Sequence, residues 1–243
     1  NCRMCLVEIE KARKPMPACA TPVTDGMKVW TDTPELNAVR RGVIELTLSM
    51  VGEAKKPGSG DYGELSVAVD RYGVNNSRWS PRRREIVDDS NPVFNIAMDS
   101  CILCGRCAQA CQDGHQFIGA IDLLGAGEST RIGTFSDRPL VESVCTTCGS
   151  CLASCPTGAI EVKDPVPQEA KTVTTTCPYC GVGCGIKAKV DISGEITHME
   201  DDPDNLSSVG MLCIKGRFGF SFVNHVDRIK SPLIRKNGEL TEV

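Results

Sequence analysis

Apolar residues recur at helical spacing after Thr33. Leu36, Val39, Val43, Leu46 and Met50 predict one packing stripe of an amphipathic helix. Its start is marked by Thr33-Pro34-Glu35: a capping hydroxyl, a proline in the first turn and an acid near the positive helix end. A loop rich in Gly, Lys and Pro follows from Gly52 to Gly60, and a second helical stretch is predicted from Glu64 to Tyr72. Elsewhere the period is two. Ile186, Ala188, Val190 and Ile192 alternate with polar residues, Ser193-Gly194 turns, and Ile196 opens a second strand, so a small β-hairpin is predicted. Leu6 to Ile9 and Lys28 to Trp30 read as short strands, and Asp164-Pro165-Val166-Pro167 as a linker. The mixture of short elements predicts an α+β chain of several small units. No apolar stretch reaches the roughly 18 residues a membrane span needs.

Composition changes this picture in one respect. Of 243 residues, 15 are cysteine and only 5% are aromatic. Small units with few aromatics bury little apolar surface and need staples or metals. A net charge of -4 gives no basic surplus for nucleic acid. The one basic run, Arg82-Arg83-Arg84, reads as a solvated or partner-facing loop.

The cysteines bunch at spacings of two and three instead of spreading along loops, and neighbours that close pair poorly with each other. In a chain this long, the pattern points to metal ligands in a reducing compartment. Cys101, Cys104, Cys107 and Cys111 in CILCGRCAQAC recur 44 residues on as Cys145, Cys148, Cys151 and Cys155 in CTTCGSCLASCP. This is the bacterial ferredoxin run, in which the fourth cysteine of each run ligates the other run's cluster. Cys101, Cys104, Cys107 and Cys155 are therefore expected to hold one 4Fe–4S cluster, and Cys145, Cys148, Cys151 and Cys111 a second. Zinc would want two C-x2-C pairs separated by a longer loop. Gln112 follows Cys111 where proline is more usual, which loosens that turn without touching a ligand.

Cys177, Cys180 and Cys184 in CPYCGVGC, with Cys213 after a 28-residue gap, also admit zinc by spacing alone. Gly181, Gly183 and Gly185 turn the reading toward a 4Fe–4S cluster, because glycine lets backbone N–H groups approach cluster sulfurs. Cys2, Cys5 and Cys19 are one ligand short of a cluster, and a partial zinc site or stray thiols are the alternatives. Groups of three, eight and four account for all 15 cysteines. One more upstream of Asn1 would complete four ligand sets, so the chain is expected to start late.

CRMCLVEIE and PMPACATPV resemble the tail of the plant-type 2Fe–2S domain that opens complex I-like subunits and cytoplasmic formate dehydrogenases. The paired motifs beginning at CILCGRC stand in the same place in that family. CPYCGVGC and LCIKGRFG are similar to the first domain of the molybdenum or tungsten bis-pterin oxidoreductases. The order resembles the N-terminal part of the catalytic subunit of an NAD-linked formate dehydrogenase, over nearly the whole chain. The stretch KGRFGFSFVNHVDRIKSPLIRKNGEL leans the same way.

This resemblance implies a 2Fe–2S cluster on Cys2, Cys5, Cys19 and an upstream ligand, in residues 1–31. It implies a helical region at 32–95, a two-cluster ferredoxin domain at 96–163 and a bis-pterin-type cluster domain at 171–224. Residues 225–243 would begin a catalytic domain holding the bis(pterin guanine dinucleotide) metal. One departure stands out: SMVGEAKKPGSGDYGELSVAVDRYGV has neither cysteine nor histidine, so the extra His/Cys cluster of many relatives should be absent. That counts against a respiratory complex I subunit.

Electrons from formate would enter at the Cys177/Cys180/Cys184/Cys213 cluster, cross the ferredoxin pair and leave at the 2Fe–2S cluster for a flavin/NAD-binding partner. Lys215 matches a lysine between cluster and pterin, where a cation stabilises the reduced cluster; the alternative is a surface lysine. His115, His198 and His225 lack ligand-like partners at i+3 or i+4 and read as structural. Arg3 reads as a loop residue screening cluster charge. The catalytic metal ligand would lie beyond Val243, so no catalytic residue is expected here. A polyferredoxin or complex I-like subunit, an iron-only hydrogenase and a zinc-binding interaction protein are the rival readings.

Overall fold

The computed structural model describes residues 3–51, 63–81, 84–114, 117–164 and 169–243. Cys2, Arg82, Arg83, His115, the Gly52–Gly60 loop and Pro165-Val166-Pro167 lie outside them. The chain forms two compact units: 1–145 with 151–163, and 146–150 with 164–243.

The first unit opens with β1 (Leu6–Ile9), paired antiparallel with β2 (Met16–Pro17) and β3 (Val29–Trp30) in the order β2-β1-β3. Helix α1 (Pro34–Leu48) starts where the sequence signals, with Thr33 Oγ1 accepting the Leu36 amide at 3.1 Å. Its buried face differs from the apolar stripe. Leu36 and Ile44 are 0% and 1% exposed and Arg40 is buried between them, whereas Leu46 is 51% exposed. Val39, Val43 and Met50 are only half-buried. Arg40 can occupy the core side because Nη2 donates to the Leu6 carbonyl at 2.7 Å and Nη1 to Tyr72 Oη at 3.5 Å. Its methylene stem then packs like an aliphatic side chain.

Helix α2 (Glu64–Tyr72) ends at Gly73, whose left-handed conformation closes the C-terminus. Leu65 and Val69 join Ile44, Val51 and Val74 in a core against which Met4 and Ile102 also pack. Met4 precedes Cys5 and Ile102 follows Cys101, so this core braces two cysteine loops.

The remaining elements of this unit are β4 (Val87–Asp88), β5 (Phe94–Ala97), α3 (Arg106–Gln109), β6 (Ile121–Leu124), β7 (Arg131–Thr134), α4 (Ser150–Ser154, whose first residue belongs to the second unit) and β8 (Ile160–Val162). Strands β6 and β7 form a hairpin. Strand β5 pairs antiparallel with both β4 and β8, with Phe94 opposite Val162 and Ile96 opposite Ile160. Because β5 precedes the first cysteine run and β8 follows the second, this pairing returns Cys155 to the first run.

In the second unit β9 (Lys171–Thr176), β10 (Gly185–Val190) and β11 (Ile196–Asp201) form a sheet in the order β11-β10-β9. The predicted hairpin is β10–β11; β9, from the non-alternating KTVTTT, is an added exposed edge strand. Ile186, Ala188 and Val190 are buried as the alternation predicts. Ile192 is 91% exposed, because it falls in the turn where Asp191 Oδ1 accepts the Ser193 and Glu195 amides. Short helices α5 (Ile214–Phe218) and α6 (Ser221–Asn224) follow, then an exposed hairpin of β12 (Leu233–Lys236) and β13 (Glu239–Glu242). Among the described residues no helix is long and apolar enough to cross a membrane.

His198 on β11 faces Lys189 across the sheet. Burial lowers its pKa; Glu200 opposes that shift, Arg217 and Lys189 reinforce it, and Glu169 opposes it. A histidine held neutral in the fold contributes stability that is full above its unfolded pKa and lost as pH falls through the lower folded value. Resistance of the wild type to thermal unfolding is therefore expected to weaken below about pH 6.5. His198→Gln should flatten that acid limb, and an unchanged limb would count against the burial argument.

Candidate metal centres

The two ferredoxin runs share an unusual backbone. Leu103 and Thr147, two residues after Cys101 and Cys145, have φ of 53° and 54°; Gly105 and Gly149 have 76° and 77°. Non-glycine residues, and β-branched threonine above all, rarely adopt this region, and such strain gathers where a loop wraps a functional group. In the first run the twist points the Leu103 amide at Cys101 Sγ, 3.4 Å away.

Cys101, Cys104, Cys107 and Cys155 line one cavity in the first unit, together with Ile96, Ile132 and Ile160. The Cys155 thiol comes from the second run, delivered by the β5–β8 pairing. Burial pushes the Cys101 thiol up to about 11 and the Cys107 thiol up to about 12, and the neighbouring thiols of the set add to both shifts. Such a set is held ionised only by a cationic partner, which is what a metal–sulfur core supplies. The residues therefore fit a cluster. Among the described residues no three Cys, His, Asp or Glu form a group that could hold a metal ion directly; these thiols line a space. Arg84, expected in a solvated or partner-facing loop, donates from Nη1 to the Cys101 carbonyl at 3.2 Å. Nothing in its local sequence distinguishes it from its two arginine neighbours.

Cys111 lies in a π-helical turn, Ala110–Gly114, where Gln112 replaces the usual proline; Gln112 Nε2 donates to Asp122 Oδ2 at 3.0 Å. The Ala120 amide donates to Cys111 Sγ at 3.2 Å. Cys145 and Cys151 belong to the first unit and Cys148 to the second, where its thiol lies 3.3 Å from Ser150 Oγ.

Near the start of the chain, Cys5 and Cys19 approach to 3.3 Å between sulfurs, and hydrogen bonding from the Cys19 backbone, then from its thiol, lowers the Cys5 pKa. Arg3 is an exposed loop residue with φ of 58°. In the second unit Cys177 and Cys184 pack on the sheet core, and the Cys177 amide donates to the Cys184 carbonyl at 2.8 Å. Burial raises the Cys184 pKa, followed by the fields of Cys177, Cys180 and Cys213, so the set lies together electrostatically. Gly185 does not present its amide to a sulfur: it donates to Ser208 Oγ at 3.3 Å, and a Cβ there would lie 2.5 Å from Asn205 Cβ. Lys215 is exposed on α5.

Residues 170–225, which hold this last set, match the molybdopterin oxidoreductase Fe4S4 domain; residues 1–34 match a 2Fe-2S iron-sulfur cluster binding domain and 139–161 a 4Fe-4S binding domain. The chain carries iron–sulfur domains like those of molybdopterin oxidoreductases and of G-type subunits of NADH-quinone oxidoreductases. It is 34% identical to the second G-type subunit of the NADH-quinone oxidoreductase of Rhizobium meliloti, over 100% of this chain and 29% of the relative. It is 34% identical to the alpha subunit of the NADPH-Fe(3+) oxidoreductase of Geobacter sulfurreducens, over 96% of this chain and 28% of the relative. A Staphylococcus haemolyticus protein provisionally named a formate dehydrogenase is 27% identical over 100% of this chain and 29% of its own length. The crystal structure of an NAD+-reducing nickel–iron hydrogenase superposes with a TM-score of 0.56 at 25% identity, covering 68% of this chain and 72% of that one. The chain thus spans under a third of the length of each of these three curated relatives. By these matches the chain carries 2Fe–2S and 4Fe–4S cluster-binding domains of the kind found in the electron-transfer portion of such oxidoreductase subunits.

Proposed function

We propose that the chain is the electron-transfer portion of a formate dehydrogenase, linked to a flavin/NAD-binding partner. The observation that carries this reading is the Cys177/Cys180/Cys184/Cys213 set inside a molybdopterin oxidoreductase-type domain. When bound, the clusters would supply one-electron transfer, and a molybdenum or tungsten bis-pterin in a further domain would supply the oxidation of formate to carbon dioxide, one proton and two electrons. The residues of this chain hold and tune. Cys101, Cys104, Cys107 and Cys155 would hold one 4Fe–4S cluster; Cys111, Cys145, Cys148 and Cys151 the second; Cys177, Cys180, Cys184 and Cys213 the third. Cys5, Cys19 and Cys2 would hold the 2Fe–2S cluster with one more ligand. Amide donation to Cys101 and Cys111 sulfurs stabilises added negative charge there. Lys215 would place a cation between the third cluster and the pterin.

The names of the two relatives at 34% identity favour a second reading, in which electrons come from NADH or NADPH and no formate is used. Mixing the anaerobic, full-length holoprotein and its partner subunits with each donor separates the two. Formate should bleach the visible iron–sulfur absorbance. Bleaching by NADH or NADPH with none by formate, in metal-replete protein, would establish the second reading.

A further inference from the structure

Arg217 is the most deeply buried charged residue of the second unit, at 3% exposure. It lies on α5, four residues after Cys213, and its amide donates to the Cys213 carbonyl at 3.1 Å. Its side chain reaches a different cysteine run: Nε donates to the Cys148 carbonyl at 3.3 Å, while Nη2 pairs with Asp201 Oδ1 at 2.9 Å. One residue therefore hydrogen-bonds the main chains of two proposed ligands belonging to different clusters.

Gly149, the neighbour of Cys148, is shaped around this side chain. A Cβ at Gly149 would lie 2.4 Å from Arg217 Cδ and 2.9 Å from Phe218 Cζ. The internal repeat supplies the control. Gly105, its counterpart in the first run, has the same left-handed φ but would meet only Leu123 Cδ1, at 3.7 Å. Both runs need the backbone freedom; only the second needs clearance for a guanidinium.

We propose that Arg217 is a positioning residue for electron passage between the cluster held by Cys213 and the cluster held by Cys148. It ties the two ligand segments at one buried joint. The joint is a continuous path of Cys213 carbonyl, Arg217 amide, side chain and Cys148 carbonyl. Passage of one electron along it makes and breaks no bond and moves no proton. The cation also favours the more negative, reduced state at both ends, an effect that low solvent exposure leaves poorly screened. The proposal rests on the ligand assignment above, and not on formate as donor.

The test is a redox titration of full-length holoprotein with a chemical reductant, read by electron paramagnetic resonance, after iron content has been measured. Arg217→Gln removes the cation and leaves Asp201 unpaired, so both changes act in one direction. Two of the cluster signals should move to lower potential, by about a tenfold change in the one-electron equilibrium (59 mV). Electron equilibration between them should slow at least about tenfold. Arg217→Lys keeps the charge without the planar fork and should recover most of the potential but not the rate. Arg235→Gln, whose parent residue bonds only the Gly238 carbonyl in the β12–β13 hairpin, should change neither. Wild-type potentials and rates in an iron-replete Arg217→Gln protein would overturn the proposal. Should that variant lose iron, the Lys variant decides: a slowed rate supports the proposal, and a wild-type rate overturns it. Wild-type protein that binds no third cluster would instead defeat the ligand assignment, a separate outcome.

Discussion

Cys155→Ala is expected to abolish the cluster of the first cysteine run, although Cys155 belongs to the second. The reason is topological. Strand β8 begins five residues after Cys155 and pairs with β5, which ends four residues before Cys101, so the thiol enters the cavity of Cys101, Cys104 and Cys107. The three thiols that remain, with burial opposing the ionisation of Cys101 and Cys107, cannot hold a four-ligand cluster. Iron should fall by about four atoms per chain, and equally in Cys104→Ala. The Cys104→Ala/Cys155→Ala double variant should lose no more than either single. Cys111→Ala should remove the other cluster, and combining it with Cys155→Ala should cost about eight irons. Iron analysis and cluster-specific spectra read all five variants. If Cys155→Ala spared the first-run cluster while Cys104→Ala removed it, the crossed assignment would fail. Because cluster loading is coupled to folding, stability should drop with each loss.

The second large effect is a contrast between two glycines that look alike in sequence. Gly105→Ala should cost about 1–2 kcal/mol, the penalty for a side chain in the left-handed region. Gly149→Ala carries the same penalty and drives a methyl group to 2.4 Å from Arg217 Cδ and 2.9 Å from Phe218 Cζ. Overpacking of that kind adds about 1–3 kcal/mol. Gly149→Ala should therefore be the more destabilising by at least about 1 kcal/mol, as a lower denaturant midpoint or faster cluster loss on heating. Residues in contact do not act additively. Placing Gly149→Ala in an Arg217→Ala background should recover part of the excess, with the contact to Phe218 remaining. Equal costs for the two alanine variants would show that Arg217 has room to move and that the clearance carries no energy.

Much was legible in sequence because it is local. The Thr33 cap and Pro34 needed no partner to be recognised, and α1 starts there. The spacing of the two ferredoxin runs, and the rule that their fourth ligands cross, named the four cysteines that line the cavity. The alternation of Ile186, Ala188 and Val190 located a strand with one buried side. What local pattern missed involves partners distant in the chain. Arg40 is a core residue only because the Leu6 carbonyl lies 34 positions away in sequence, and recognising that required the fold. The same holds for Arg84 at the Cys101 carbonyl and for β9, whose threonines become a strand by pairing with β10.

The sequence by itself therefore determined the inventory: the cysteine sets, their repeat, the α+β elements and the iron–sulfur chemistry they imply. Cysteine spacing and helix caps are properties of neighbours along the chain. The tertiary structure alone decided which face of α1 is buried. It also decided that Gly149 is fitted to a side chain while Gly105 is not, and that Arg217 bonds the carbonyl of a cysteine 69 residues away. Burying a charge is unfavourable until particular acceptors are in place, and only the folded chain supplies them.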